Sequence, residues 1–386
     1  MGWYFLLMKK LSSLISNMKP SGIREFFNYA SERPEVTSLG VGEPDFTTPK
    51  AIIDAAKESL DKGKTFYTSN QGLPELRNKI SKYLLDRFNV DYKPDEMILT
   101  AGSSQGILAA LMAIINPGDE IIVTEPTYIC YIPDIEMCGG KAVVIPLKEE
   151  NNFKLTKEEL ESHITSKTKA VFLSFPNNPT GAIMTKEDLE SIAPLILKND
   201  LCVISDEIYA ELTYGKKHCS IASFKGFKER TILINGFSKA FAMTGWRLGY
   251  VCAPKDVLDQ TLKIQQYIML SAPTMAQYGA IAALDYCIPD MENMVREYNH
   301  RREYLLKSFK ELGIQCFDAE GAFYLFPSIK KFNLSSREFC LKLLQEYDVL
   351  VVPGTAFGDS GEGYIRISYA AGIDKLERLI EVLRLL

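Results

Sequence analysis

The sequence predicts an α/β fold: a mostly parallel central sheet covered by helices, with a smaller α+β domain beside it. Two patterns predict the sheet. Short β-branched runs alternate with helical stretches between Met97 and Cys252. Those runs are continuously apolar, as strands covered on both faces must be, and do not alternate with polar residues. A third observation predicts the second domain, because beyond Leu262 the pattern becomes long and helical before short strands return. At 386 residues the chain is long enough to bury two cores.

Element by element, Ile23–Ala30 reads as a short amphipathic helix and Ser38–Phe46 as a Gly/Pro turn. A helix over Pro49–Lys62 follows, then a second from Pro74, where proline suits the first turn. Met97–Thr100 is a strand, Ala101–Gly106 a small-residue turn, and a helix runs on through Ile115. Asn116–Asp119 closes it. Glu120–Thr124, Ala142–Pro146, Lys169–Phe175 and Leu201–Ser205 read as further strands. Helices begin after Thr156 and Thr185, each with an acidic residue three positions on that completes a capping box. Thr231–Asn235 and Leu248–Cys252 are the last strands of this array. Helices follow at Leu262–Leu270, Met275–Cys287 and Met291–Leu312. Gly321–Phe326, Val349–Pro353 and Tyr364–Ser368 supply strands, with helices from Ser335 and Asp374. In Tyr364–Ser368 the alternation turns Ile365 and Ile367 to the core and Arg366 to the opposite face.

Composition excludes several partners. The net charge is −5 with no basic run, which argues against nucleic acid or an anionic membrane. Eight cysteines are scattered without a Cys-x-x-Cys pair and three histidines lie far apart, so neither a disulfide framework nor a metal site is indicated. A reducing cytoplasm is the expected compartment. Trp3–Met8 is too short to span a bilayer and carries its lysines on the wrong side for a signal peptide. Residues 1–17 read as a disordered or docking extension, with Met8 and Met18 as alternative starts.

Chemistry concentrates in Ile234–Tyr250. Lys239 sits in a Ser/Gly/Ala-rich turn between two buried strands, flanked by Phe237, Phe241 and Trp246, and Arg247 follows eight residues later. A lysine between strands is ordinarily solvated, but this setting is apolar. A desolvated lysine has a lowered pKa and can form a Schiff base, while arginine suits a phosphate. Pyridoxal 5′-phosphate requires both. The turn Ala101–Gly106 offers free N–H groups at a helix start, which suits an anion. Asp206 ends an apolar strand, where a carboxylate entering a cleft needs a partner.

The stretch Ser-Lys-x-x-x-Met-Thr-Gly-Trp-Arg-x-Gly-Tyr resembles the lysine signature of class I/II aminotransferases, the fold-type-I pyridoxal-phosphate enzymes of the aspartate/aromatic kind. The resemblance extends from about Ser21 to the C-terminus. It implies a large cofactor-binding domain over 47–281, a small domain from 18–46 and 282–386, and a homodimer with shared sites. By the same resemblance Lys239 is catalytic, and Ser103, Ser104, Ser238 and Arg247 hold the phosphate. Tyr128 stacks on the ring, Asp206 faces its nitrogen, and Asn178 and Tyr209 reach its phenolic oxygen. Gly42, Asn178 and Arg366 meet the substrate, Arg366 gripping its carboxylate. Tyr67 crosses to the neighbouring subunit's phosphate, whereas its ordinary reading is a residue of its own core. The implied reaction moves the amino group of an L-amino acid to a 2-oxo acid, with 2-oxoglutarate as the expected acceptor.

The chain departs from the family pattern twice. Gly236 replaces a serine expected three positions before the lysine, which weakens one phosphate contact and leaves Ser238, Ser103, Ser104 and Arg247 available. Lys263–Ser271 contains no arginine that would bind a second substrate carboxylate from the partner subunit. Two other readings use the same residues: a cysteine-conjugate β-lyase on this fold, and a non-catalytic binding module.

Overall fold

The computed structural model describes residues 11–18, 22–23, 33 and 35–386. The helix expected over Ile23–Ala30 lies outside the described residues except for Ile23, as do residues 1–10 of the extension. Ser13–Asn17 forms a five-residue helix with no buried side chain.

Twelve strands are formed among the described residues. A two-residue strand, β1 (Thr37–Ser38), precedes the large sheet. That sheet contains β2 (Met97–Thr100), β3 (Glu120–Glu125), β4 (Lys141–Pro146), β5 (Thr168–Ser174), β6 (Cys202–Asp206), β7 (Thr231–Gly236) and β8 (Gly249–Cys252). Its order is β2-β8-β7-β6-β5-β3-β4, and every pairing is parallel except the two made by β8. The remaining strands are β9 (Tyr324–Leu325), β10 (Val349–Leu350), β11 (Val352–Pro353) and β12 (Ile365–Ser368). β12 is the centre of a three-stranded antiparallel sheet, and β1 pairs with β10 in parallel.

Both faces of the large sheet are covered, which is why its strands read as unbroken apolar runs. Along β5 the side chains divide with period two. Ala170 and Phe172 join Ile107, Leu111 and Leu258 of the helices Ser103–Ile114 and Lys255–Ile268 on one face. Val171 and Leu173 join Leu160, Leu189 and Ile192 of the helices Lys157–His163 and Lys186–Lys198 on the other.

Local signals set most of these elements. Thr156, Thr185 and Ser335 each accept a hydrogen bond from the backbone N–H three residues on, whose side chain reaches back to complete the box. Some elements differ from expectation: the strand expected over Val349–Pro353 divides into β10 and β11 in different sheets, β1 was not anticipated, and two helices differ. The helix expected from Leu262 starts at Lys255, one residue after Pro254. A helix over Tyr131–Met137, not anticipated, leaves the carboxyl end of β3. In β12 the alternation holds, but Arg366 on the far face is buried too, at 2 % exposure.

β6 is the middle strand of the seven. Ile204 is fully buried in a cluster with Ile98, Phe172 and Ile232. Ile204→Ala is therefore expected to cost about 3 kcal/mol of stability through lost burial and a residual cavity. A lowered urea midpoint at unchanged m-value is the measurement that checks it.

Candidate active site

Parallel strands bring their carboxyl ends to one edge of a sheet, and an open α/β sheet binds ligands there, where strand order reverses. Here the reversal lies between β3 and β5. Chain segments leaving β2, β3, β5, β6 and β7 at that edge carry Ser103, Tyr128, Asn178, Asp206 and Lys239. They wall a cavity of about 520 Å³. Of the twelve residues singled out in the sequence, eleven line it: Gly42, Ser103, Ser104, Tyr128, Asn178, Asp206, Tyr209, Ser238, Lys239, Arg247 and Arg366. Tyr67 does not. It lies on the surface at 82 % exposure, which overturns the ordinary reading of a core residue.

Lys239 Nζ donates to the Gly42 carbonyl at 2.6 Å. Burial pulls its pKa down to about 8; the nearby cations of Arg366 and Arg247 pull the same way, while Glu43 and Asp206 oppose them. Asp206 is buried at the end of β6, and burial pushes its carboxyl up to about 6. Hydrogen bonds oppose that rise: Tyr131 donates its hydroxyl to Oδ2 at 2.7 Å and the Ile208 N–H donates to Oδ1 at 3.1 Å.

Arg366 is sandwiched between aromatic rings, 4.5 Å from the centre of Tyr324 and 4.7 Å from that of Phe357. It donates to Asn178 Oδ1 at 3.0 Å and to the Gly40 carbonyl. Its buried Nε has no partner. A guanidinium so placed, with donors to spare, suits a carboxylate.

At the start of the helix Ser103–Ile114, Gly102 has a φ of +79° and provides no side-chain cap. The first-turn N–H groups therefore have no partner within the helix and point at the cavity edge. Arg247 lies against the same spot: a Cβ on Gly102 would come within 2.4 Å of its guanidinium. Unpaired N–H groups, a helix start and an arginine together make a cradle for a phosphate. Gly236 has no room for the serine of the family pattern. A Cβ there would meet Gly249 Cα at 2.9 Å and the Ser103 hydroxyl at 3.1 Å. The missing contact reflects the close approach of β7 and β8, and Ser103 fills the adjoining space.

Several lining residues were not singled out in the sequence. Tyr131 bridges Asp206 and Ser174, with its hydroxyl 2.9 Å from the Ser174 hydroxyl. Tyr324 places its hydroxyl 2.8 Å from that of Tyr209. Thr244 donates to Glu43 at 3.0 Å. Tyr131 stands three residues after Tyr128 at the same strand end, a spacing that could have drawn attention to it. Tyr324 is indistinguishable from its aromatic neighbours until β9 and β12 pair.

The aminotransferase class I and II family model matches residues 34–383. The chain belongs to that family. It is 48 % identical over 378 residues to a putative aminotransferase, YugH, of Bacillus subtilis, covering 97 % of this chain and 98 % of that one. It is 44 % identical to an aspartate aminotransferase of Pyrococcus abyssi, over 96 % of both chains. Among solved structures, an aromatic aminotransferase from Pyrococcus horikoshii superposes with a TM-score of 0.89 at 43 % identity, over 93 % of this chain and 97 % of that one. The fold is thus that of the fold-type-I aminotransferases, and the chain is an aminotransferase by family.

Proposed function

We propose that this aminotransferase uses pyridoxal 5′-phosphate to move the amino group of an L-amino acid to a 2-oxo acid, with 2-oxoglutarate as acceptor. One observation carries the reading: a buried amine of lowered pKa, a buried carboxylate, an anion cradle and a stacked guanidinium share one cavity. In this reading 47–281 is the cofactor domain, and 18–46 with 282–386 is the smaller one. No helix among the described residues is long and apolar enough to cross a membrane. All eight cysteines are free thiols, which suits a reducing cytoplasm.

The residues present fit the cofactor. The cradle at Ser103 and Ser104, with Ser238 and Arg247, would hold its phosphate. Asp206 would face the ring nitrogen, Tyr128 one ring face, and Asn178 and Tyr209 the phenolic oxygen. When bound, the group supplies an electron sink for the bond broken at the substrate α-carbon. The protein does the rest. Arg366 fixes the substrate carboxylate and so the orientation of the α-carbon, with Gly42 beside it. Asp206 keeps a proton on the ring nitrogen. Lys239 Nζ removes and returns the α-proton, a task for which an amine titrating near 8 is well matched to neutral pH.

A homodimer with shared sites is part of the proposal. Phe66, Tyr67 and Tyr267 are exposed aromatic residues. Thr274 donates to the Phe66 carbonyl at 2.9 Å and Asn70 donates to the Leu270 carbonyl at 2.9 Å, which ties the segment 66–70 to 270–274. A second cavity, walled by Pro273, Met275 and Trp246, shares Thr244 and Arg247 with the first. Exposed aromatic residues suit an interface, and a two-fold dimer would repeat one such patch on each subunit.

Purified protein is expected to be yellow and to form glutamate from 2-oxoglutarate and an L-amino acid. Lys239→Ala should lower that rate by roughly 10³-fold or more, since its proton-transfer role is lost. Wild-type rates in the variant would refute the assignment.

The unprotonated amine, which predominates only above its pKa, is the form of Lys239 that would react with the cofactor's aldehyde. Capture by cofactor-free protein should therefore accelerate as pH rises, with a midpoint near 8. A stopped-flow pH series with its midpoint near 10.5, the ordinary lysine value, would contradict this.

Shared sites make a further demand. Mixing Lys239→Ala and Tyr67→Phe chains should restore activity above either parent, because one site of a heterodimer then carries both lesions and the other neither. Confirmed subunit exchange without recovery would place the action of Tyr67 within its own chain.

A further inference from the structure

One residue beyond Asp206, a second carboxylate is buried for which the proposed chemistry has no use. Glu207 is 1 % exposed. It lies on the side of the strand opposite Asp206, sharing that side with Ser205 two residues earlier. Ser205 and Ser220 donate their hydroxyls to Oε1 at 2.8 and 2.7 Å. His218 Nε2 lies 2.8 Å from Oε2. His218 is itself buried, its ring edge-on to Phe88 at 5.7 Å between centres.

A turn runs in front of this cluster. The Glu207 N–H donates to the Ile234 carbonyl at 2.8 Å, and its carbonyl accepts from the Ala210 N–H at 2.9 Å. Asp206 and Tyr209 lie on that turn and reach the cavity, while Glu207 holds the turn from behind. A buried carboxylate contributes little net stability compared with an apolar side chain of its size. Fixing a geometry is what its full set of donors accomplishes.

We propose that Glu207 and His218 form a buried clamp that positions Asp206 and Tyr209 against the cofactor ring. Both are positioning residues, since neither lines the cavity. The clamp rests on the pyridoxal-phosphate reading. It acts through the rigid turn: a displacement of the Asp206 carboxylate by about 1 Å is enough to weaken its pairing with a ring nitrogen.

The test uses cofactor-free wild type and the variants His218→Phe, His218→Gln and Ser220→Ala. Each is titrated with pyridoxal 5′-phosphate by absorbance. The pH titration of the bound chromophore and the melting of the cofactor-free protein are recorded beside it. His218→Phe keeps the packing against Phe88 and removes the partner of Oε2. It should bind the cofactor about tenfold more weakly and shift the chromophore's titration, with the melting midpoint lowered by the unpaired Oε2 but the protein still folded at the assay temperature. His218→Gln, which can place a nitrogen in the same spot, should restore both readouts. Ser220→Ala removes one donor and should show the same shifts at about threefold, which also covers a His218→Phe protein that fails to fold.

Wild-type protein that takes up no pyridoxal 5′-phosphate defeats the cofactor reading itself. If wild type binds, the clamp is overturned when His218→Phe or Ser220→Ala matches it in affinity and titration. It is equally overturned when His218→Gln restores nothing, or when the loss of affinity follows a loss of fold in the melting curves.

Discussion

The structure depends on keeping three charged groups, Lys239, Asp206 and Arg366, in one poorly solvated cavity. Burial disfavours the charged form of each. It brings the lysine from 10.5 to about 8 and the aspartate from 3.8 to about 6, so the two titrations approach each other. Neither group becomes inert. At neutral pH the amine still exchanges its proton readily, and the carboxylate is still largely ionised. An isolated buried charge would cost far more than the fold can absorb. Each therefore has a partial set of partners: the Gly42 carbonyl for Lys239, Tyr131 for Asp206, and Asn178 with the Gly40 carbonyl for Arg366.

Those partners come from far apart in the chain, and the sheet is what gathers them. Asp206 ends the central strand β6, flanked by β5, which leads to Asn178, and by β7, which leads to Lys239. Their register is fixed by packing on both faces, so the three side chains emerge from a frame that cannot slip without exposing a core. Antiparallel β8 then returns the chain beside β2, which brings Arg247 to the start of the helix that follows β2.

Much of this was legible in the residues themselves. Continuous apolar runs gave the covered sheet, capping boxes gave helix starts, and the turn around Lys239 stood out because a lysine is rarely enclosed by aromatic residues. The alternation in Tyr364–Ser368 placed Arg366 on its own face. What stayed hidden depends on distance in sequence. Tyr324 acquires its role from pairing of β9 with β12, and the Glu207–His218 contact joins a strand end to a later loop. The helix at Tyr131 was missed because Tyr131–Met137 spans only seven residues and contains a proline, which offers little periodicity. The antiparallel direction of β8 follows from its turn geometry rather than from its composition.

The segment Gly40–Gly42 shows how backbone completes a site that side chains alone would leave strained. Its two carbonyls sit on the two cations of the substrate side, Gly40 on Arg366 and Gly42 on Lys239. A carbonyl is a weaker partner than a carboxylate, so it relieves the buried charge without competing strongly for it. In the proposed reading, an incoming carboxylate would find Arg366 held in place, with its Nε still free. Only glycine permits the approach at position 42, because a Cβ there would come within 2.6 Å of the Tyr324 hydroxyl. That hydroxyl is in turn hydrogen-bonded to Tyr209. The loop, the aromatic pair and the guanidinium are thus one packed unit along one wall of the cavity.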